Sequence, residues 1–309
     1  MTSHLILRAL SLALIVVQLL VYCPLAAAET PLPAGVRVIR DLAYMSDGHA
    51  RQKLDLYLPA VGSGPLIVFI HGGAWRSGSK DGVDSAGMLA HGYAVASVGY
   101  RLSQHARFPA QIEDCKSAIR WLRAHAGEYG YDPERIAAWG TSAGGHLTAL
   151  LATTGTTREF DVGEHLDQSS AIRCGVDFFG PTDFPGWAPA SDMPVIQRSG
   201  PESCLVQLFG GPVGENLGIA RQASPIAWVG RDSAPLFIMH GTDDPLVGLE
   251  QSQKFADKLE EAGVDVSLEV IEGGGHGGAE FFAGDRPDLL LAFLSRHLEI
   301  AGGDDGKPR

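Results

Sequence analysis

Short apolar segments alternate with helical patterns along almost the whole chain, and this alternation limits what it can fold into more than any other feature. Eight segments read as strands: Arg37 to Tyr44, Lys53 to Leu58, Pro65 to Ile70, Ala94 to Gly99, Arg135 to Trp139, Ile172 to Phe179, Leu236 to His240 and Val264 to Ile271. The later ones are short and apolar, as strands covered on both faces must be, and helical patterns separate them. Such βαβ units predict an α/β fold with a mostly parallel eight-stranded sheet flanked by helices. The clearest helix runs from Pro109 to about Ala126, with Ile112, Cys115, Ile119 and Leu122 on one stripe and Gly127 as its stop. Others run from about Leu249 to Ala262, ended by Gly263, and from about Pro287 to Leu298.

Without internal repeats or a Ser- or Pro-rich linker, residues 29–309 read as one domain. One stretch breaks the rhythm. Gly180 to Ser233, with Pro181, Pro185, Trp187, Pro194 and Pro201, is longer than a routine crossover and reads as an irregular, lid-like insertion facing a substrate. Residues 1–28 read as a signal peptide: His4 and Arg8, an apolar run of 13 residues from Ala9 to Val21, then Ala26-Ala27-Ala28 before Glu29. The run is short of the roughly 20 residues a membrane span needs, so no stable membrane insertion is expected. The mature chain is expected to be secreted or periplasmic.

With 24 Lys and Arg against 36 Asp and Glu, the net charge of −12 supplies no basic field for phosphates, which disfavours nucleic acid as a partner. No Cys or His cluster has metal-ligand spacing. Outside the leader the cysteines are Cys115, Cys174 and Cys204; Cys115 lies on the helical stripe, and Cys174 with Cys204 is open to either a disulfide or two free thiols.

The segment Ile136-Ala137-Ala138-Trp139 runs into Gly140-Thr141-Ser142-Ala143-Gly144 and then a helical stretch. A G-x-S-x-G between strand and helix is the pattern of a nucleophile elbow, a strained turn whose small residues let the backbone approach itself while Ser142 stands above the sheet. A serine needs a base, and the base needs an acid to orient it; the elbow pattern predicts them downstream, acid first. Leu236 to His240 ends in Gly241-Thr242-Asp243-Asp244-Pro245, and the last strand ends in Gly273-Gly274-Gly275-His276-Gly277-Gly278. His276 is therefore the candidate base, whereas His297 sits late in a charged helix and reads as solvated. Asp243 and Asp244 compete for the acid, with Asp244 preferred because it precedes Pro245. Upstream, His71-Gly72-Gly73-Ala74-Trp75 follows an apolar strand, placed as backbone donors for an oxyanion would be: Gly72 and Gly73 with Ala143. His71 reads as a brace for that loop. Trp75 and Trp187 are candidate substrate-binding aromatics, and Phe178 and Phe179 read as core.

Together with Leu54-Asp55-Leu56-Tyr57-Leu58-Pro59 and Phe179-Gly180-Pro181-Thr182-Asp183, these motifs span nearly the whole mature chain. The chain resembles α/β-hydrolases of the esterase/lipase superfamily, in particular the secreted bifunctional feruloyl/acetyl-xylan esterase (BD-FAE-like) group. The resemblance implies the α/β-hydrolase fold, a Ser142, Asp244, His276 triad, an oxyanion hole from Gly72, Gly73 and Ala143, no cofactor, and small-molecule or polysaccharide-linked carboxylic esters as substrates. It favours Asp244 over Asp243 independently. Gly248, where such chains often carry Pro, and Ser203-Cys204-Leu205-Val206 depart from it. The expected function is ester hydrolysis through an acyl-enzyme on Ser142. The alternatives are a serine exopeptidase-like hydrolase, a catalytically silent binding protein that keeps the fold, and an acyltransferase using the same acyl-enzyme.

Overall fold

The computed structural model describes residues 31–60, 62, 64–187 and 193–298. All eight expected strands form, as β1 (Arg37–Ala43), β2 (Lys53–Leu58), β3 (Leu66–Ile70), β4 (Ala94–Val98), β5 (Ile136–Thr141), β6 (Cys174–Phe178), β7 (Leu236–Gly241) and β8 (Val266–Ile271). They make one sheet in the order β1-β2-β4-β3-β5-β6-β7-β8. β1 and β2 join it antiparallel, and every pairing from β4 onward is parallel. β3, with Leu66, Ile67, Val68 and Ile70 buried, alternates between two cores, so both of its faces are covered. Each such side chain contributes roughly 1.5–3 kcal/mol through burial, which explains why this strand reads as a continuous apolar run.

Parallel register sets the site. Ile70 pairs with Gly140, Thr141 with Phe178, Phe178 with Met239, and Gly241 with Ile271. The carboxyl ends of β3, β5, β6, β7 and β8 are thus level, and the loops leaving them crowd one edge of the sheet, where ligands of such sheets bind.

The helices are α1 (Ala86–Ala90), α2 (Ala110–Tyr129), α3 (Ala143–Thr154), α4 (Cys204–Phe209), α5 (Leu217–Gln222), α6 (Glu250–Glu261) and α7 (Arg286–Leu298). Three sequence expectations need correction. α2 runs past Gly127 to a left-handed cap at Gly130, φ 85°, because Trp121 packs against Tyr129 along its last turns and Gly130, not Gly127, has the backbone that stops a helix. The insertion from Gly180 to Ser233 is less irregular than its prolines suggest. It holds α4, α5 and several 3₁₀ turns, and Phe184, Leu205, Leu208, Phe209, Val213 and Ala220 join the main core. Ser203 caps α4 by accepting from Leu205 N–H and Val206 N–H, which accounts for the unusual Ser-Cys-Leu-Val stretch. His297 is not simply solvated: its Nε2 lies 3.1 Å from an Asp265 carboxylate oxygen and its ring packs on Phe293.

Cys115, Cys174 and Cys204 are all free and buried. Cys174 packs in the core on one face of the sheet and Cys204 in the core on the other, so the sheet itself separates them. Burial pushes their thiols up, Cys174 to about 12 and Cys204 to about 11, and both stay protonated. The expected leader, residues 1–28, lies outside the described residues. Among those described, no helix is long and apolar enough to cross a membrane.

Candidate active site

Ser142 sits between β5 and α3 with φ 55° and ψ −119°, a left-handed backbone that costs a non-glycine residue about 1–3 kcal/mol and is kept only where packing enforces it. The enforcement is visible. Ser142 N–H donates to Phe178 O at 2.8 Å, and Ser142 O accepts from His146 N–H at 2.9 Å, tying the turn to β6 and to the first turn of α3. A Cβ on Gly144 would lie 2.0 Å from Ile70 O, so the helix can enter only where residue 144 has no side chain.

From Ser142 a hydrogen-bonded chain crosses three loops. The Asp244 carboxylate only accepts, so His276 donates from Nδ1 to Asp244 Oδ2 at 2.6 Å. That leaves His276 Nε2 as the acceptor for Ser142 Oγ–H, at 2.8 Å. Asp244 Oδ1 accepts from Leu246 N–H at 2.8 Å and Val247 N–H at 2.9 Å. Burial by itself would raise this carboxyl, but hydrogen bonds from His240 and His276, with the Val247 amide, hold it well below the usual carboxylate range. It is therefore the ionised partner of the chain. Asp243, its competitor, is exposed; its backbone N–H donates to Gly274 O at 2.9 Å and its side chain takes no part.

The loop after β3 lies against the same serine. A Cβ on Gly72 would come within 3.5 Å of Ser142 Cβ and 2.8 Å of Thr141 O. Gly73 has φ 111°, and its carbonyl accepts from Arg76 N–H, Ser77 N–H and Ser77 Oγ–H, each at 3.0 Å. Ala74 and Trp75 also adopt left-handed backbones. Ala143 follows Ser142 as the first residue of α3 and is buried. Gly72 on the loop after β3 and Ala143 at the start of α3 thus both lie beside Ser142.

Trp75 and Trp187 are each only 2% exposed, so neither indole offers a face to a ligand. Trp75 donates from Nε1 to His146 Nδ1 at 3.1 Å and packs edge-on to Phe184, which in turn packs on Trp187, Phe209 and His146. The sequence reading placed these aromatics at the substrate; the structure uses them to pack the insertion onto the core. Phe179 is core, yet its ring lies 4.5 Å from that of His276, centroid to centroid.

Three buried side chains around the site escaped the sequence reading. His240 Nε2 stands 3.4 Å from Asp244 Oδ2 while donating to Val247 O at 2.8 Å, so it backs the acid. His146, with Nδ1 taken by Trp75, donates from Nε2 to Ala223 O at 2.7 Å, linking α3 to the insertion. Asp177 accepts Gly180 N–H through Oδ1, its Oδ2 has no hydrogen-bond partner among the described residues, and burial pushes its carboxyl up to about 7. A polar residue in the middle of an apolar strand, such as His240 or Asp177, is the signal that was available for two of them. Among the described residues no three His, Cys, Asp or Glu side chains converge as a metal site.

With this geometry in view, comparison with known proteins is specific. A family model described as BD-FAE matches residues 54–259. LipM of Mycobacterium tuberculosis, named as a probable carboxylic ester hydrolase, is 32% identical over 75% of this chain and 56% of its own length. The chain spans about half the length of LipM and of the related esterases LipC and LipQ that it also matches. Among solved structures, a truncated carbohydrate esterase from gut microbiota is 29% identical with a TM-score of 0.77, covering 84% of this chain and 96% of that one. A bifunctional GH43-CE protein of Bacteroides eggerthii is 30% identical with a TM-score of 0.76, covering 86% of this chain and 38% of that one.

Proposed function

The chain belongs to the BD-FAE family, and from that premise we propose that it is a serine carboxylic-ester hydrolase acting on carbohydrate-linked acetyl or feruloyl esters and other small esters. The observation that carries the proposal is the unbroken chain from Ser142 Oγ through His276 to the ionised Asp244. The solved neighbours described as carbohydrate esterases support the substrate class.

In the proposed mechanism Ser142 Oγ attacks the ester carbonyl as His276 Nε2 takes its proton. Asp244 holds the imidazole with Nδ1–H toward itself and stabilises the imidazolium. The backbone N–H groups of Gly72 or Gly73 and of Ala143 take the charge of the tetrahedral oxyanion, at the helix N-terminus where the peptide dipoles favour it. His276 then protonates the departing alcohol, leaving an acyl-enzyme on Ser142. Water, deprotonated by the same imidazole, releases the acid. Residues 29–309 are proposed as the catalytic unit, exported after cleavage near Ala28, and the insertion as a packed wall of the site. Support for a wall is its anchoring: Thr182 and Asp183 N–H donate to Gln251 Oε1 on α6, and Ala223 O accepts from His146 of α3.

Hydrolysis of p-nitrophenyl acetate by the wild type and by Ser142→Ala tests the reading. Turnover by the wild type and a loss of up to about 10⁶-fold in the variant is the expected result; acetyl-xylan and methyl ferulate would then separate the substrate classes. Equal inertness of both proteins would overturn the proposal in favour of a silent binding role.

A further inference from the structure

Arg51 lies in the connection between β1 and β2, well upstream of every motif at the site, yet its guanidinium reaches the loop that follows β3. Nε donates to Tyr100 O at 2.9 Å, and the two hydrogens of Nη2 are both engaged, with Gly78 O at 2.6 Å and His71 Nε2 at 3.2 Å. A guanidinium has no acceptor atom, so at the last contact the acceptor must be the imidazole. His71 is thereby fixed as the neutral ring with its proton on Nδ1. That proton points to Gly72 O, 2.7 Å away. The ring has little freedom otherwise: it is 5% exposed and stacks on Tyr100 with centroids 4.3 Å apart and planes 13° from parallel. Tyr100 also donates its hydroxyl to His71 O at 2.9 Å. Burial lowers His71 to about 4, and the Arg51 charge pushes the same way, which keeps the ring neutral at ordinary pH.

Gly72 C=O and Gly73 N–H are the two ends of one planar trans peptide and point in opposite directions. Whatever fixes the carbonyl therefore aims the amide. We propose that Arg51 is a positioning residue for the oxyanion donor: by donating to His71 Nε2 it holds the imidazole in the form that grips Gly72 O, and so directs Gly73 N–H toward the substrate oxygen. The proposal rests on the ester-hydrolase reading and adds to it a residue that never touches substrate. Without Arg51, burial and Tyr100 still hold the ring in place, but nothing keeps its proton on Nδ1, and in the Nε2–H form the grip on the carbonyl is gone.

The test compares the wild type with Arg51→Met and Arg51→Lys, using p-nitrophenyl acetate kinetics, affinity for a trifluoromethyl ketone whose unhydrated carbonyl adds Ser142 Oγ to form a hemiketal oxyanion, and thermal unfolding. Arg51→Met is expected to lower kcat by about 10- to 100-fold, a fraction of what outright loss of an oxyanion donor costs, with KM within about twofold. Affinity for the ketone should fall by the same factor. Arg51→Lys, which restores a donor, should recover most of both. An Arg51→Met enzyme with wild-type kcat and ketone affinity overturns the inference. So does an equal loss in both variants that tracks a lowered unfolding temperature, because that is the behaviour of a merely structural residue. Failure of the parent reading looks different: the wild type itself would then show no turnover that depends on Ser142.

Discussion

The elbow around Ser142 and the loop around His276 are both glycine-rich, but the glycine next to each functional side chain meets different surroundings. In the elbow there is no space. A Cβ would come to 2.2 Å from Gly144 O at Gly140, 2.0 Å from Ile70 O at Gly144 and 2.2 Å from Asp177 Oδ1 at Gly145. In the His276 loop Gly273, Gly277 and Gly278 have left-handed backbones and Gly274 is crowded by Ile271, but a Cβ on Gly275, directly before the histidine, would meet nothing within 4 Å. Ser142 is held by close packing of backbone on backbone, whereas His276 is held by its hydrogen bonds to Asp244 and Ser142 and by the ring of Phe179. The largest effect that would break this contrast comes from Gly144→Ala. The added methyl must push α3 off β3, at a cost of about 3 kcal/mol or more, the upper end of what overpacking costs. An unfolding temperature lower by roughly 10 °C and activity reduced more than about 100-fold are expected. A variant with wild-type melting and turnover would show that the elbow has slack, and the contrast would be lost.

Titratable groups follow the same division. Those packed behind the elbow and the loop after β3 are driven toward their neutral forms: burial lowers His71 and His146 to about 4 and raises Asp177 to about 7. The signs matter. A histidine with a lowered folded pKa binds its proton less readily than the unfolded chain, so its contribution to stability is present above about 6.5 and is lost as pH falls toward 4. A carboxyl with a raised folded pKa acts the other way, and Asp177 contributes stability that disappears as pH rises through 7. The wild-type curve sums these opposing slopes, so a difference between variants isolates one of them. His146→Gln keeps an acceptor for Trp75 and a donor for Ala223 without a titrating proton. Denaturant unfolding at pH 7.5 and 4.5 should show a smaller acid loss in this variant, by roughly 2–3 kcal/mol, the free energy of the pKa displacement. Identical acid losses in the two proteins would mean that His146 is not held neutral.

The sheet was legible from the chain because parallel strands buried on both faces write themselves as short apolar runs, and β3 and β5 do so without ambiguity. Ser142, Asp244 and His276 were legible for a related reason: each lies just past the carboxyl end of a strand, so finding the strand finds the position. What was not legible depends on contacts between distant segments. Nothing local marks Arg51, since only the antiparallel joining of β1 and β2 to the sheet delivers it to His71. Trp75 and Trp187 were misplaced because an aromatic beside a site looks the same whether it faces a ligand or the core, and here both are buried with Phe184 packed against each. The stop of α2 was misread at Gly127 because sequence shows a glycine's presence and not its dihedral angle, which at Gly130 is the one that ends the helix.

The smallest expected effect is also the sharpest test of the comparison. Gly275 precedes the candidate base directly, and by sequence alone it is as suspicious as Gly144 on the other side of the site. Its φ lies outside the left-handed range and the space beside it is open, so alanine requires neither strain nor displacement. Replacing glycine at such a position restricts the unfolded chain and stabilises a protein by about 0.4–1 kcal/mol. Gly275→Ala should therefore melt at the wild-type temperature or slightly above it, with kcat on p-nitrophenyl acetate within about twofold, because the hydrogen bonds that hold His276 are untouched. A large fall in kcat at unchanged stability would mean that His276 must swing during turnover and that Gly275 is its hinge. The loop would then be glycine-rich for motion, and the division between a packed nucleophile and a bonded base would have to be redrawn as one between a fixed and a moving partner.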